Sequence, residues 1–328
     1  MRAVVTGGAG FIGSELVHQL AERGDSIDIV DTLVSGSRAN VAPLLGDRVR
    51  LQEDDIRDEE AMRRVLRGAD IVYNLACRGV RHSIHAPREN HDVNATATLQ
   101  LLMLAREAGV ARFVHVSTSE VYGTARWAPM TEEHPTFPHT VYGASKLAGE
   151  GYARAFHDTY GYPTVIVRPF NAYGPRSHHE GDSGEVIPKF MLRSMAGKPM
   201  VVFGDGTQTR DFTFVSDSAR AILLAGECDA AIGQTLNAGS GNEISILDLA
   251  GVIAGITGST AGVVHDDPRP GDVHRLIADT SKMRALCGFT PRVGFDEGMA
   301  RLREWYAASG ADAERLLASE RVRNWEQP

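Results

Sequence analysis

Cysteine is scarce: Cys77, Cys228 and Cys287 are the three in 328 residues, far apart in sequence and without a C-x-x-C pair. That excludes a disulfide framework or a thiolate zinc site as an organising device and leaves reduced thiols as the expectation. Basic charge is in deficit. Lys and Arg number 34 against 42 Asp and Glu, a formal charge of -8, so the cationic face that nucleic acid requires is missing. No apolar run approaches the length of a membrane span. Low-complexity tracts and repeats of solenoid length are absent as well. The opening Met1-Arg2-Ala3-Val4-Val5-Thr6 runs into a glycine loop without the apolar core or cleavage site of a signal peptide. The expectation is a cytoplasmic protein with neither membrane nor nucleic acid as its partner.

What is present is an ordinary globular balance, 43% hydrophobic and 23% charged, with 34 glycines. Residues 2–6 are a short β-branched run, read as a buried strand. Gly7-Gly8-Ala9-Gly10-Phe11-Ile12-Gly13 follows, then apolar residues at helical spacing (Phe11, Leu16, Val17, Leu20). Strand, glycine loop and helix in that order form a dinucleotide-binding turn. Gly7 permits the tight turn, Gly10 the approach of a pyrophosphate, and Gly13 close helix–sheet packing. The helix N-terminus offers free N–H groups to the phosphates.

Ile27–Val30 reads as the second strand, with Asp31 at its end. A carboxylate there accepts bonds from ribose hydroxyls and repels a 2′-phosphate, favouring NAD over NADP. Arg38 is the one nearby group that could reverse this. Further strands are expected at 49–52, 69–75 and 112–117, with a helix over 93–108. The alternation predicts an α/β, doubly wound parallel sheet with ligands at the carboxyl ends of its strands.

Beyond the last of these strands comes Ser117-Thr118-Ser119-Glu120-Val121-Tyr122-Gly123, and later Tyr142-Gly143-Ala144-Ser145-Lys146 opens a helix running to about 160. Tyr142 and Lys146 are one helical turn apart and share a face. A free phenol ionises near pH 10, and a nearby ammonium favours the phenolate, so Lys146 can prime Tyr142 as a base.

With these motifs the chain resembles the extended short-chain dehydrogenase/reductase family, the nucleotide-sugar epimerases and dehydratases. TGGAGFIG (6–13), Asp31, Asp55-Ile56, STSEVYG (117–123), YGASK (142–146), RPFNAYGPR (168–176), GDGTQTRDF (204–212) and RPGDV (269–273) carry the resemblance. It implies a Rossmann-type domain over 1–168, rejoined by segments near 211–236 and 273–286. It implies a smaller, interleaved region over 169–328 that binds the nucleotide sugar. Gly7, Gly10, Phe11, Ile12, Gly13, Asp31, Leu75, Ala76, Ser117, Tyr142 and Lys146 would then hold NAD, with Asp55 and Ile56 flanking the adenine. Tyr142 would remove a sugar hydroxyl proton, usually at C4, while Thr118 bonds the same hydroxyl. Ser119 would touch the sugar, and Asn171, Arg210 and Arg269 the nucleotide diphosphate; guanidinium groups suit that role.

A 4-keto sugar has three fates. Hydride return on the other face is 4-epimerisation. Loss of the acidified C5 proton expels the C6 hydroxide in a 4,6-dehydratase, and a uronate loses carbon dioxide in a decarboxylase. By resemblance, epimerases usually carry a small or neutral residue where this chain has Glu120, whereas dehydratases and decarboxylases carry glutamate. Thr-Ser-Glu is most similar to the GDP-mannose and N-acetylhexosamine 4,6-dehydratases. It departs from dTDP-glucose 4,6-dehydratases, which have aspartate at the position of Ser119, and so the acid is unassigned unless Glu120 fills both roles. The reading is a 4,6-dehydratase, with a 4-epimerase next and a uronate decarboxylase after it; Glu120 as a mere sugar-binding group stays open.

The segment Ser177-His178-His179-Glu180-Gly181-Asp182 is rich in metal-binding types, but adjacent histidines in a glycine loop give no fixed ligand face. It is expected to cover the sugar, with no metal in the site. A cofactor-sensing protein would have a broken Tyr/Lys pair, and a reductase of free small molecules would not need the phosphate arginines. The resemblance also implies a homodimer through the helices near 93–108 and 145–160, although Leu99, Leu102 and Met103 could equally pack on the sheet.

Overall fold

The computed structural model describes residues 1–181, 183–310 and 312–326. Its first half alternates strands and helices: β1 (Arg2–Thr6), α1 (Phe11–Glu22), β2 (Ser26–Val30), β3 (Val49–Gln52), α2 (Glu59–Leu66) and β4 (Ile71–Asn74). Two short helices, α3 (His82–His85) and α4 (Pro87–His91), precede α5 (Ala97–Glu107), β5 (Arg112–Val116), α6 (Val141–Tyr160) and β6 (Thr164–Pro169). The second half runs β7 (Asn171–Tyr173), α7 (Val186–Met195), β8 (Met200–Phe203), β9 (Thr209–Phe214), α8 (Val215–Glu227) and β10 (Thr235–Ala238). It closes with β11 (Glu243–Ser245), α9 (Ile246–Thr257), β12 (Val263–Asp266), α10 (Ser281–Cys287), α11 (Phe295–Ala308) and α12 (Ala313–Leu317).

Seven strands form one parallel sheet in the order β10-β6-β5-β4-β1-β2-β3. The strands are apolar on both faces because helices cover both. On one side α1 and α8 seal a core that includes Val5, Leu16, Leu20, Ile29 and Ile222; on the other, α2, α5 and α6 bury Val4, Met62, Leu101 and Phe113. The strand order reverses at β1, which pairs with β2 on one side and β4 on the other. That switch point opens a crevice at the carboxyl ends of the strands.

The later chain builds a second, smaller core around Tyr173, Phe190, Phe212, Leu249 and Leu302, with sheets β11-β9-β7 and β12-β8. It also returns to the first sheet. Helix α8 packs on α1 and β5, and β10 pairs with β6 from Thr235↔Ile166 to Ala238↔Pro169.

The helix expected over 93–108 is divided. Asp92–Thr96 form a π-helical turn before α5. The cause is a side-chain clamp: Asn94 accepts from the Arg78 N–H at 2.8 Å and donates to the Arg78 carbonyl at 2.9 Å, while Asn90 donates to the Arg78 and Gly79 carbonyls at 3.0 Å. The widened turn thereby fixes the cavity wall at 76–81, a placement in keeping with π-bulges near functional sites. The cysteines, distant in sequence, are not all distant in space. Cys228 and Cys287 lie in side-chain contact at the ends of α8 and α10.

Candidate active site

The crevice is a single cavity of about 450 Å³. Every residue assigned to the site from the sequence lines it, from Gly7 and Asp31 through Ser117, Thr118, Ser119 and Glu120 to Asn171, Arg210 and Arg269.

At the cofactor end, Gly7 has φ +68°, and a Cβ there would stand 2.7 Å from the Ala76 nitrogen. A Cβ on Gly13 would collide with the Gly7 carbonyl oxygen. Gly10 is the N-cap of α1, with no side chain capping the helix, so the first-turn N–H groups are left for an anion. Asp31 is buried and accepts from the backbone N–H of Ala9 and of Leu33, both at 2.9 Å. Its carboxylate thus ties the glycine loop to the end of β2. Burial raises its pKa against the pull of those bonds. Asp55 is held by Arg57 through bonds of 2.7–3.0 Å, which lower its pKa. Ile56, Leu75 and Ala76 complete the apolar walls. Arg38 lies outside the cavity and pairs with Glu53 at 3.1 Å, so the group that could have favoured a 2′-phosphate is engaged elsewhere. A glycine cradle that admits no Cβ and a ribose-side carboxylate are the features that NAD requires.

The chemistry sits where β5 ends. Ser117 lies just past the strand, with its buried hydroxyl unbonded among the described residues. Thr118 caps the short 3-10 turn Ser119–Val121, accepting from the Glu120 N–H at 3.2 Å, and also hydrogen-bonds the Tyr142 phenol. Tyr142 stands in the first turn of α6, whose N-cap Thr140 accepts from the Gly143 N–H at 3.2 Å. Lys146, one turn later and 2% exposed, donates to the Val116 carbonyl at 2.6 Å. The carbonyl of the last β5 residue thus fixes the lysine. Burial pushes the Tyr142 phenol well above its ordinary value and the Lys146 ammonium below its own. Cys77, Glu120 and Glu185 raise the phenol further, and the Thr118 bond opposes them. Among these neighbours desolvation is the larger effect on Tyr142, whereas the sequence alone pointed to stabilisation by the lysine.

The Glu120 carboxylate is half-buried, lines the cavity and makes no hydrogen bond or ion pair among the described residues. Arg210, from β9, and Arg269 each donate to Asp272. Asn171 opens β7, and its buried Oδ1 is unbonded among the described residues.

His178, from the segment expected to cover the sugar, lines the cavity, and among the lining groups not singled out from the sequence are Arg81, Glu185, Lys189 and Asp272. Arg81 presents a guanidinium whose buried Nε has no partner among the described residues. His178 and His179 both turn to Glu180, at 3.0 and 3.3 Å; Asp182, grouped with them in the sequence, lies outside the described residues. Of the groups not singled out, Asp272 sits within a motif, RPGDV. The others carry no local signal, because tertiary packing alone brings them to the cavity.

The family described as GDP-mannose 4,6 dehydratase matches residues 4–302. The chain is 37% identical to a dTDP-glucose 4,6-dehydratase of Streptomyces niveus, over 93% of each protein. It is 35% identical to a UDP-glucose 4-epimerase of Mycolicibacterium smegmatis, over 93% of this chain and 98% of that one. The solved dTDP-glucose 4,6-dehydratase of Streptomyces venezuelae, with NAD and TYD bound, matches with TM-score 0.91 at 36% identity, covering 96% of this chain and 100% of its own.

Proposed function

The chain belongs to the GDP-mannose 4,6-dehydratase family, among the NAD-dependent nucleotide-sugar dehydratases and epimerases of the extended short-chain dehydrogenase/reductases, and on that premise we propose that it is a 4,6-dehydratase of a nucleoside-diphosphate hexose. Glu120 carries the reading. An unpaired carboxylate two residues beyond Thr118, in the cavity that Tyr142 faces, is the base that elimination needs and epimerisation does not.

NAD, held by the glycine loop and Asp31, would supply a hydride acceptor at C4 that is regenerated within each turnover. Tyr142 takes the C4 hydroxyl proton, and Thr118 holds the same hydroxyl in line. Once C4 is a ketone the C5 proton is acidified and Glu120 removes it. The C–H electron pair becomes the C5–C6 double bond as the C6 hydroxyl departs as water. Asn171, Arg210 and Arg269 hold the nucleotide diphosphate, and Ser119 touches the sugar.

In this reading residues 1–168, with the returning α8, β10 and α10, hold the cofactor, and 169–328 mainly hold the nucleotide sugar. Two copies associate through α5 and α6. Leu102 is buried and Leu99 packs on the core, but Met103 is 57% exposed on α5 and Tyr160 is 52% exposed on α6. Light scattering that returns a monomer would remove this part. Among the described residues no helix is long and apolar enough to cross a membrane, which accords with a cytoplasmic place.

A second reading, 4-epimerase, is supported by Ser119, which offers no acid for a departing hydroxyl, and by the epimerase relative. The deciding experiment incubates the protein and NAD with UDP-, dTDP- and GDP-hexoses and weighs the products. Loss of one water supports the dehydratase; an isomer of unchanged mass replaces it with the epimerase. In the first case Glu120→Gln should still oxidise C4 but fail to eliminate.

A further inference from the structure

Hydroxide is a poor leaving group, so elimination at C6 needs an acid as well as a base. Glu120 supplies one carboxylate, and its neighbour on the turn, Ser119, supplies none. The cavity holds another carboxylate in Glu185.

Glu185 is the N-cap of α7, with extended backbone (φ -98°, ψ 162°), yet its side chain makes no capping bond. The backbone around it is pinned: its N–H donates to the His178 carbonyl at 2.8 Å, and its carbonyl accepts from the Lys189 N–H at 3.3 Å. The carboxylate itself makes no hydrogen bond or ion pair among the described residues and is left to the cavity. Its charge is felt at Tyr142 and at Arg81, the two groups that also feel Glu120. Both carboxylates therefore border the space that Tyr142 faces. His178 and Arg81 favour the ionised form of Glu185, but burial, aided by Glu180, prevails and holds its pKa above the ordinary carboxylate value. A shift in that direction favours the protonated form, which is the form an acid requires.

We propose that Glu185 is the general acid that protonates the C6 hydroxyl as it leaves, while Glu120 takes the proton from C5. The assignment rests on the dehydratase reading. The C5–H bond breaks and its proton passes to the Glu120 carboxylate. Its electron pair forms the C5–C6 double bond. The C6–O bond breaks with its electrons on oxygen, and the Glu185 O–H proton completes a water molecule. The sugar loses one water and leaves Glu120 protonated and Glu185 ionised; as the hydride taken from C4 is returned to C6, Glu120 gives its proton back to C5, and Glu185 regains a proton from solvent.

The test compares Glu185→Gln, Glu120→Gln and the unmodified protein, each loaded with NAD, on UDP-, dTDP- and GDP-hexoses and on their 6-deoxy-6-fluoro analogues. Fluoride leaves without a proton. Glu185→Gln should still oxidise C4, seen as absorbance at 340 nm in a single turnover, and should still exchange the C5 proton in D2O. Water loss should fall roughly 100- to 10,000-fold, the usual worth of an acid–base group. Fluoride release should stay within about tenfold of the unmodified protein, whereas Glu120→Gln should lose both eliminations. Equal loss of water and fluoride release in Glu185→Gln would overturn the proposal, as would water loss at the unmodified rate. Loss of C4 oxidation would also overturn it, by making Glu185 a binding group. Failure of the dehydratase reading shows separately, as an isomer and no water loss from the unmodified protein, and takes the acid role with it.

Discussion

Arg210 and Arg269 converge on one oxygen: each donates from Nη2 to Asp272 Oδ1 at 2.6 Å. A single carboxylate holds two guanidinium groups side by side at the cavity, while Arg210 also donates from Nη1 to the Thr209 carbonyl at 2.7 Å; in the proposed reading the two charges match those of a diphosphate. Arg210→Lys keeps the charge but loses the planar fork. The Michaelis constant for the nucleotide sugar should rise roughly 10- to 100-fold, the worth of a charge-assisted bond of about 1.5–3 kcal/mol. NAD affinity, read by calorimetry, should be unchanged; a matching drop in NAD affinity would mean that Arg210 serves the cofactor.

Behind the catalytic turn lies a buried ion pair. Arg168 donates to Glu150 from Nε at 2.8 Å and from Nη2 at 2.6 Å, and both side chains are at most 3% exposed. The guanidinium carbon lies 4.6 Å from the centre of the Tyr122 ring, whose hydroxyl donates to Asn237 at 2.7 Å. Glu150→Gln leaves the arginine charge buried and uncompensated, a loss of about 3–5 kcal/mol. Urea unfolding should register it as a lower midpoint with unchanged slope. An unaltered midpoint would show that the pair contributes nothing net.

The loop over the cavity should tighten and loosen with pH. Burial pulls His178 down, but the hydrogen bond to Glu180 and the charges of Glu185 and Glu180 leave its pKa raised above 6.5. Burial likewise opposes ionisation of Glu180, yet its bond to His178 takes it down to about 2. A raised histidine stabilises below its unfolded value and loses that contribution as pH climbs through the folded one. A lowered glutamate stabilises above its unfolded value, 4.5, and loses that as pH falls toward about 2. The pair is one interaction, fully present between about pH 4.5 and 6.5. Hydrogen exchange of the segment 177–185, corrected for the intrinsic rate, should be slower at about pH 6 than at about pH 8.5. His178→Ala should abolish that difference.

The cysteines should react in a set order. Cys77 is exposed and lines the cavity beside Tyr142 and Lys146. Cys287 is half-buried, and burial together with the neighbouring Cys228 pushes its thiol up to about 12. Iodoacetamide at about pH 8 attacks the thiolate. Peptide mapping should find Cys77 modified first, saturating NAD should protect it, and Cys287 should stay largely unmodified. Labelling of Cys77 that ignores NAD would count against the placement of the cofactor.

Local signals made much of this legible. The β-branched run at 2–6 and the segment 49–52 are strands over those same residues, and the helix carrying Tyr142 ends at Tyr160. The glycine loop, the Thr118 turn and the Tyr/Lys pair each fit within a few residues, where spacing dictates geometry. What escaped was non-local. The π turn at 92–96 follows from asparagine side chains reaching back to Arg78, a competition that periodicity does not register. Arg81 and Glu185 come from segments without a regular pattern and meet only because the cavity closes around them. Cys228 and Cys287 touch because α10 folds back onto α8.

The pairing of β10 with β6 limits how this protein can be recombined. A chimaera joined at residue 169, carrying the second half of a relative, would also exchange the seventh strand and the α8 helix that packs on α1. The incoming half would have to match a foreign sheet edge before it met any sugar. Wholesale grafting is therefore a poor route to new specificity. Substitution within the loops at the strand ends leaves that seam undisturbed, and it is there that a lineage could change sugars without first repairing its fold.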